Sequence, residues 1–426
     1  MIQQNFSGKV VVAVSDVVVV GGGPVGLYLA GALAEAGIEV LVLERKQKIG
    51  QGVLCTGIIG QEAFDKFQLP QASIEGSIQQ VELISPAGEI ISYIHPHSFA
   101  YVVNRTVFDR LLAARAQALG VEIITGFEVV EIWKSNRFVQ IKGKRRGFPD
   151  RVYQAKICVL ATGNSFRFHH QLGLGLPQEF VFGGQVELPE REKQRPRLWF
   201  GKALAPGGFA WQIPQKKKLK VGLLSTTDTR PYLERILRKY YPQVKEQPFS
   251  ADIAQKAIAQ GIVTPSFRER VLAVGEAAGQ VKTTTGGGIF YGLLGAEIAE
   301  GVIKKALLTS SFRGNFFGLY EKEWRRRLER EIRLGLIMRK FYSLLDDEDV
   351  SRLFDIARDN GVFPLVQQKG NFDWHSQLIL SLIRHLARHP RRLPPIFHIS
   401  REIWKKAKHI PYQKREGSPE ATTKIN

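Results

Sequence analysis

The chain has 426 residues, of which 44% are hydrophobic, a formal net charge of +20 and only two cysteines. This length suggests two or three domains of about 100–200 residues each, with enough apolar sequence for a sizeable core. Two cysteines exclude a disulfide framework and are typical of a reducing compartment, while the positive charge indicates an anionic partner, surface or substrate. No apolar run reaches the roughly 20 residues that span a bilayer. The valine-rich segment 10–14 is not interpreted as a signal peptide, because Asp16 interrupts it and the first strand follows at once.

The first predicted element is a nucleotide-binding βαβ unit. Residues 17–20 are four consecutive valines, which suits a strand buried on both faces. A Leu- and Ala-rich helix is predicted over residues 27–37, and a second strand over residues 40–43. Glu44 ends that strand, 18 residues after the last glycine of the turn, where a carboxylate binds the adenosine ribose hydroxyls. The turn has the G-x-G-x-x-G spacing that lets a pyrophosphate approach the backbone and the helix N-terminus, with Gly21, Gly23 and Gly26.

More strands and one helix are predicted between this unit and residue 163. The segment 48–60 is glycine-rich and is expected beside the cofactor. The other predicted elements are two strands in 81–94 around a turn at 86–88, a helix over 107–119 that ends at Gly120, a strand over 121–124, a hairpin of 138–141 with 151–155 around the basic turn 142–146, and a buried parallel strand over 156–163.

The second half of the chain predicts an antiparallel sheet and then helices. Strand-like patterning covers about 170–265, with a turn expected at 215–220, and residues 271–275 return to the nucleotide domain. A glycine run at 286–288 opens a predicted helix over 289–305, and from residue 316 onward the pattern is helical. The predicted fold class is α/β (α+β overall). The predicted domains are a discontinuous nucleotide domain (1–70, 101–168, 268–305), an antiparallel-sheet substrate domain (71–100, 169–267), a C-terminal helical region (306–412) and a disordered tail (413–426).

Four further segments carry a family resemblance. They are Leu54-Cys55-Thr56-Gly57-Ile58; Asn104-Arg105 with Phe108-Asp109 and Leu111; the run from Pro206 through Phe209-Ala210-Trp211-Gln212-Ile213 to Pro214; and the glycine-rich run from Gly275-Glu276 to Gly288-Ile289. With these motifs the chain resembles the geranylgeranyl reductase family of flavoproteins, within the superfamily built like para-hydroxybenzoate hydroxylase. The resemblance implies a Rossmann-like FAD-binding domain and an antiparallel substrate domain. It also implies reduction of isolated prenyl double bonds in archaeal lipids, chlorophyll precursors or quinone tails.

The spacing of the two glycine-rich turns supports FAD independently of the resemblance. The second turn lies about 260 residues after the first, so the two can hold the two ends of one extended dinucleotide. Amides of the segment 286–288 would lie near the isoalloxazine edge that carries charge in the reduced flavin. No second G-x-G-x-x-G supports a separate nicotinamide domain. Electrons are therefore expected from NADPH that docks transiently, or from a protein donor such as ferredoxin.

Residue by residue, the resemblance implies the following cofactor-binding residues. Gly21, Gly23, Val25, Gly26 and Glu44 contact the pyrophosphate and ribose; Cys55 and Thr56 lie beside the flavin; Arg105 lies on its phosphate or ribityl side; the Val129 backbone lies against adenine; Gly163 is near the pyrophosphate; Glu276, Gly288 and Ile289 lie at the ribityl and isoalloxazine end. Two positions depart from the pattern. The family usually has Asp at position 276, and the extra methylene shifts the ribityl contact by about 1.5 Å. Related hydroxylases have Asp-Gly at Thr162-Gly163, so the Gly163 contact stays open.

Two interpretations remain open for each of the other candidate residues. An isolated alkene accepts a hydride only when a proton arrives nearly in step and water is excluded. Cys55 either relays that proton or is a small buried hydrophobe. Phe209, Trp211 and Pro214 either line an apolar pocket for a prenyl substrate or belong to an ordinary sheet core; the family motif has Tyr and Phe where this chain has Phe209 and Ile213. Asn104-Arg105 either contacts the cofactor or caps the following helix.

The C-terminal region predicts attachment to an anionic membrane surface. One helical face is apolar, with Leu378, Ile379, Leu382, Ile383 and Leu386. It is followed by Arg391, Arg392, Arg401, Lys405, Lys406, Lys408, Lys414 and Arg415, interleaved with Phe397 and Trp404. Such a pattern suits binding at anionic headgroups, and a helix packed on the protein with a solvated basic face is the alternative. The predicted location is cytoplasmic, peripheral on the inner face of the membrane.

The function predicted from the sequence is an FAD-dependent reductase of prenyl chains on a lipid or quinone. The alternative is a flavin monooxygenase or halogenase on the same scaffold, because the halogenase motif Trp-x-Trp-x-Ile-Pro differs at one position from the segment 209–214. The Cys55 segment and the run 283–289 argue against that alternative. Neither a metal site nor nucleic-acid binding is predicted, because the nine histidines lack metal-ligand spacing and are interpreted as solvated or structural, and no recognition fold is present.

Overall fold

The computed structural model describes residues 4–5, 9–189, 194–242, 253–359 and 362–388. Its strands are β1 (Gln4–Asn5), β2 (Lys9–Val20), β3 (Val40–Glu44), β4 (Ile58–Gly60), β5 (Ile74–Ile78), β6 (Gln80–Ile84), β7 (Ile90–Ile94), β8 (Ala100–Val103), β9 (Glu122–Thr125), β10 (Phe127–Lys134), β11 (Val139–Arg145), β12 (Arg151–Leu160), β13 (Glu179–Pro189), β14 (Arg197–Phe200), β15 (Phe209–Gln215), β16 (Lys218–Ser225), β17 (Ala254–Gln260), β18 (Phe267–Arg268) and β19 (Val271–Ala273). Its helices are α1 (Pro24–Glu35), α2 (Gln61–Phe67), α3 (Arg105–Ala118), α4 (His169–Leu172), α5 (Arg230–Tyr240), α6 (Ile289–Leu308), α7 (Gly314–Leu344), α8 (Asp347–Asp359), α9 (Val362–Lys369) and α10 (Ser376–Arg388).

The predicted βαβ unit forms the centre of a largely parallel sheet. The main path of this sheet is β10-β11-β12-β2-β3-β9, and β19 joins it parallel to β12. Val17 pairs with Val40 on one side and with Ile157 on the other, and the four valines are at most 6% exposed. Parallel strands buried on both faces require such continuous apolar sequence. The predicted first strand, helix and second strand are confirmed by β2, α1 and β3.

Two predicted turns are wrong in extent. Lys142 and Lys144 lie within β11 rather than in a turn, because they alternate along the strand with the buried Ile141 and Gly143. The predicted turn at 215–220 is reduced to Lys216 and Lys217, and Lys216 has the positive φ of 52° that the tight hairpin needs. Residues 218–220 therefore belong to β16.

A second, seven-stranded sheet lies beside the first, in the order β17-β13-β16-β15-β14-β6-β7. It is antiparallel except where β14 pairs with β6. One face packs Val221 and Leu223 against Leu233 and Ile236 of α5. The residues that alternate with these on β16 form the other face, and Lys220 among them hydrogen-bonds to the segment that contains Cys55. This second face, called here the inner face, is turned toward the nucleotide domain.

Helices α6 and α7 cover the nucleotide domain. Tyr320 and Trp324 of α7 are fully buried, and both are hydrogen-bonded to the end of the parallel sheet. The Tyr320 hydroxyl donates to Ala273 O at 2.7 Å, and Trp324 Nε1 donates to Ser266 Oγ at 3.0 Å. These bonds hold the first half of α7 against the chain that leads into the second glycine-rich turn.

The predicted amphipathic segment forms α10, in which Leu378, Ile379 and Leu382 are half-buried and Ile383 is 50% exposed. In the part of the chain that is described, no helix combines the length and the apolar character needed to cross a membrane. The predicted basic and aromatic residues beyond Arg388, and the predicted tail 413–426, lie outside the described residues. The domain boundaries given above stay a prediction.

Candidate cofactor and substrate site

The first glycine-rich turn leaves no room for side chains at two of its glycines. Gly21 has a φ of 117°, and a β-carbon there would lie 2.3 Å from Ala161 O. A β-carbon at Gly26 would lie 2.2 Å from Gly21 O. Gly23, the N-cap of α1, has no protein atom within 4 Å of its β-carbon position and no side-chain cap. The N-terminal amides of α1 therefore face open space where a phosphate can bind.

Glu44 is held at the edge of this turn by two backbone amides. The Gly22 amide donates to Oε2 at 2.7 Å and the Lys46 amide donates to Oε1 at 2.8 Å. A carboxylate has about four acceptor sites, so two remain for the hydroxyls of a ribose. The geometry fits the role that the spacing predicts for Glu44.

Val25 brings the second glycine-rich turn against the first. Gly275 has a φ of 67°, and a β-carbon there would lie 3.3 Å from the methyl groups of Val25. A β-carbon at Gly292, in the first turn of α6, would lie 2.5 Å from Val25 Cγ2. Gly288, the N-cap of α6, has no side chain, so no capping side chain occupies the first amides of this second helix N-terminus. Two such termini joined through one valine fit the two ends of FAD.

The carboxylate of Glu276 is directed toward the seven-stranded sheet. It accepts from Lys256 Nζ at 2.9 Å and from the Ala259 amide at 3.2 Å, both on β17. A β-carbon at Gly163, whose φ is 61°, would lie 3.7 Å from Glu276 Oε2, so these two predicted residues lie together. Lys256 was not found from the sequence, since nothing local links a strand lysine to a turn 20 residues later.

Cys55 lies in a cluster of positive groups. The Gly57 amide donates to Cys55 Sγ at 3.3 Å, and the positive charge of the Arg105 guanidinium acts on the same sulfur. Lys220 reaches this segment from β16, where it donates to Cys55 O at 3.2 Å and to Thr56 O at 3.1 Å. Lys220 is 4% exposed and lies in a strand, so its prediction as part of a turn is wrong.

These positive groups determine how the Cys55 thiol titrates. Burial alone would raise its pKa, but the Arg105 guanidinium, the Gly57 amide and the Lys220 ammonium together bring the pKa below its ordinary value. Burial lowers the pKa of Lys220 itself. Cys158 lies within β12, where burial raises the pKa to about 12. The two cysteines of the chain are therefore chemically distinct.

Asn104 and Arg105 have separate roles at the start of α3. Asn104 Oδ1 accepts from the amides of Thr106 and Val107 at 3.1 and 3.2 Å, so Asn104 is the helix cap. Arg105 forms a two-pronged pair with Asp109, with Nη2–O distances of 3.0 and 3.1 Å. The charge of this guanidinium also acts on the Cys55 thiol.

The predicted substrate residues divide between the two faces of β15. Phe209 and Trp211 share the inner face, with ring centroids 6.0 Å apart. Pro214 alternates to the face that α5 covers. The predicted adenine contact, Val129, is 6% exposed and lies at a bulge in β10. Trp211 therefore lies on the face that carries Lys220, whereas the Pro214 ring lies on the opposite side of the sheet.

A buried ion pair links the second glycine-rich turn to the C-terminal region. Lys282 Nζ lies 2.8 Å from Asp373 Oδ1, and the two side chains are 6% and 2% exposed. Lys282 also donates to Phe372 O at 3.1 Å and lies 4.1 Å from the centre of the Phe372 ring. The neighbouring His375 Nδ1 lies 2.7 Å from Thr284 Oγ1. The sequence showed Lys282 within a cofactor motif but carried no indication of its partner 91 residues later.

Among the described histidines, His169 is fully buried, and its placement agrees with a structural role. His169 Nε2 lies 2.8 Å from Ala277 O and so supports the second glycine-rich turn. Within the described ranges, no group of three or more His, Cys, Asp or Glu side chains is arranged to hold a metal ion.

Comparison with known proteins agrees with this geometry. The family model described as FAD dependent oxidoreductase matches residues 16–165. A digeranylgeranylglycerophospholipid reductase of Methanocaldococcus jannaschii is 26% identical over 355 residues, which cover 80% of this chain and 90% of that protein. The protein of the same name from Methanosarcina acetivorans is 27% identical over 372 residues, covering 81% and 88%.

Solved structures share the fold. A geranylgeranyl bacteriochlorophyll reductase-like protein from Thermoplasma acidophilum has a TM-score of 0.77 at 20% identity, covering 91% of this chain and 99% of that one. A flavin-dependent brominase has a TM-score of 0.63 at 15% identity, covering 88% and 100%. Together with the relatives, these matches confirm the predicted α/β fold, the resemblance to geranylgeranyl reductases and an FAD-dependent oxidoreductase. The brominase supports the predicted alternative only at the level of the scaffold.

We predict that Cys55 reacts with iodoacetamide faster than an ordinary cysteine at pH 7, because its lowered pKa increases the thiolate fraction. The variant Lys220→Met removes a nearby positive charge and should raise the pKa of Cys55. The pH midpoint of alkylation should therefore move upward. The measurement is the rate of alkylation against pH, followed by peptide mass spectrometry on FAD-free protein. Cys158 is the internal control and should stay unmodified. An unchanged midpoint in Lys220→Met contradicts the assignment.

We predict that Asp373→Ala lowers the free energy of unfolding by about 3–5 kcal/mol, because it leaves the Lys282 ammonium buried without its partner. Chemical denaturation measures this change. The control is Glu297→Ala, which removes a partly exposed carboxylate that pairs with Lys66 at 2.7 Å and with Arg327 at 3.2 Å, and each pair should contribute less than about 1 kcal/mol. Equal losses in the two variants would show that the Lys282 pair does not hold the C-terminal segment.

Proposed function

We propose that this FAD-dependent oxidoreductase saturates isolated double bonds in prenyl chains of the geranylgeranyl type, carried on a lipid or a quinone. The observation that carries the proposal is the apolar part of the inner face opposite the second glycine-rich turn. Leu224 Cδ1 and Ile258 Cδ1 lie 3.6 and 3.2 Å from the β-carbon position of Gly286, and Trp211 continues the same face. The relatives named digeranylgeranylglycerophospholipid reductase support the same substrate class.

Reduced FAD, when bound, supplies the hydride for such a reaction. The residues of the chain then have two tasks, to exclude water from the apolar face and to hold a proton for the second carbon. Cys55 is the proposed proton carrier, at Sγ, since the cations of Arg105 and Lys220 bring its pKa toward the working range. The same polar surroundings weigh against its being a small hydrophobe. Lys220 is a positioning residue, because it contacts the backbone of Cys55 and Thr56.

The proposed electron donor is NADPH or reduced ferredoxin. Both are anionic, and the formal charge of +20 favours their encounter with the protein.

The proposed location is a membrane surface, approached through α10 and the basic residues that follow it. The apolar residues of α10 are only half-buried and Ile383 is 50% exposed, which supports a helix that is not fully covered by the protein. A basic residue near an anionic surface contributes about 1 kcal/mol, so half of the predicted basic set suffices to localise the protein.

We predict that anaerobically reduced protein converts geranylgeranyl lipid, or a polyprenyl quinone, to products heavier by two mass units for each saturated bond. Mass spectrometry after incubation with a chemical reductant measures this without the natural donor. Cys55→Ser should reduce turnover by about 10²-fold or more if the thiol carries the proton. A product that gains oxygen or halogen, only when air or halide is supplied, would replace this proposal with a monooxygenase or a halogenase.

We predict that truncation after Arg388 abolishes binding to vesicles that contain anionic lipid while FAD binding is retained. Truncation after Gly370 is unsuitable, because it also removes Asp373 and with it the pair to Lys282. Vesicle sedimentation measures binding, and neutral vesicles and high salt are the controls. Unchanged sedimentation of the truncated protein would refute the membrane proposal.

A further inference from the structure

Three residues form one row across the inner face of the substrate sheet. Gln185 of β13 pairs with Gly222 of β16, and Gly222 pairs with Trp211 of β15. Directly paired residues of neighbouring strands point to the same face, so Gln185 and Trp211 face the same way across a glycine. Neighbouring strands lie about 4.8 Å apart, which places their Cα atoms about 10 Å from each other.

The Trp211 ring occupies the space that a side chain at position 222 would need. A β-carbon at Gly222 would lie 2.6 Å from Trp211 Cζ2 and 2.7 Å from Cε2. Cε2 is the atom bonded to Nε1, so the N–H edge of the indole lies over the strand that separates Trp211 from Gln185. Any larger residue at position 222 would displace the indole from this position.

Two buried polar atoms on this row have no hydrogen-bond partner among the described residues. They are the donor Trp211 Nε1 and the acceptor Gln185 Oε1. Gln185 is only 6% exposed. A buried polar group without a hydrogen-bond partner is destabilising, so two of them on one face form an unusual arrangement unless something binds there. One donor and one acceptor together match a group that both accepts and donates, which is an O–H group.

The same face contacts the segments assigned to the flavin. On β16, Lys220 and Leu224 lie on either side of Gly222 along the strand; Lys220 donates to the Cys55 and Thr56 carbonyls, and Leu224 meets Gly286. The row therefore lies within the wall that the proposed prenyl chain would contact. Along β16, this row of Gln185, Gly222 and Trp211 lies between Lys220 and the apolar Leu224, and it carries the two polar atoms that have no partner among the described residues.

We propose that Trp211 Nε1 and Gln185 Oε1 bind a single O–H group, either a hydroxyl of the prenyl substrate or one fixed water. The group accepts from the indole and donates to the carboxamide, with each heavy-atom distance about 2.8–3.0 Å. This subsite deepens the proposed function, because a substrate hydroxyl bound there would set which double bond lies at the flavin. A fixed water would instead shape the wall without selecting the substrate.

Probes that the enzyme cannot reduce test ligand binding at the subsite separately from catalytic turnover. Phytanol, a saturated C20 isoprenoid alcohol, and its methyl ether are titrated by calorimetry into the FAD-loaded protein. For a substrate hydroxyl, the alcohol should bind about tenfold more tightly than the ether, and the preference should vanish in both Gln185→Met and Trp211→Phe. For a fixed water, the two probes should bind equally, and a high-resolution crystal structure should show one ordered oxygen bonded to both atoms that is lost in Gln185→Met.

The matched control is Gln212→Met, a buried glutamine of the same sheet whose carboxamide lies on the α5 face and bonds to the Tyr241 hydroxyl. It should change neither the probe preference nor the ordered oxygen. The proposal is overturned if the probes bind equally and no oxygen contacts both atoms, or if the indole donates directly to Gln185. Phytanol has no double bond to reduce, so its binding does not depend on turnover. A failed turnover assay together with an intact preference for the alcohol would contradict the proposed function but still support the subsite.

Discussion

The site depends on a close approach of two segments that are far apart in the sequence. Val25 follows the first glycine-rich turn, and its methyl groups occupy the space that side chains at Gly275 and Gly292 would fill. The approach is possible because β2 and β19 both pair in parallel with β12. The carboxyl ends of all three strands therefore lie at the same end of the sheet. We propose that the N-termini of α1 and α6 thereby bind the two ends of one dinucleotide.

Buried or half-buried lysines connect the segments that surround the carboxyl ends of these strands. Lys220 connects the seven-stranded sheet to the carbonyls of the Cys55 segment, Lys256 connects this sheet to Glu276, and Lys282 connects the second glycine-rich turn to Asp373. An ammonium in a poorly solvated site is costly unless it is paired or hydrogen-bonded, so each contact favours one arrangement of the segments. The cations also explain why Cys55 differs from Cys158.

The amount that the sequence could predict follows from how local each interaction is. The βαβ unit depends on spacings of a few residues, so the strand 17–20, the turn glycines and Glu44 could all be recognised. The lysine contacts join residues 20, 91 and 165 positions apart, and no periodicity links such partners. The basic segments around Lys142 and Lys220 were misassigned as turns, because charge was given more weight than the period-two alternation of a strand. The motif that contains Pro214 could be recognised, but the motif does not state which face of the sheet each of its residues occupies.

A crystal structure of the protein with FAD and a saturated prenyl lipid tests the central claim most directly. The account predicts the adenosine ribose at Glu44, the pyrophosphate at the N-terminus of α1, and the isoalloxazine between the Gly286–Gly288 segment, Cys55 and the inner face that carries Trp211. The prenyl chain should lie along Leu224 and Ile258. An isoalloxazine outside the space between the second glycine-rich turn and the inner face, or a lipid bound elsewhere, would contradict the account.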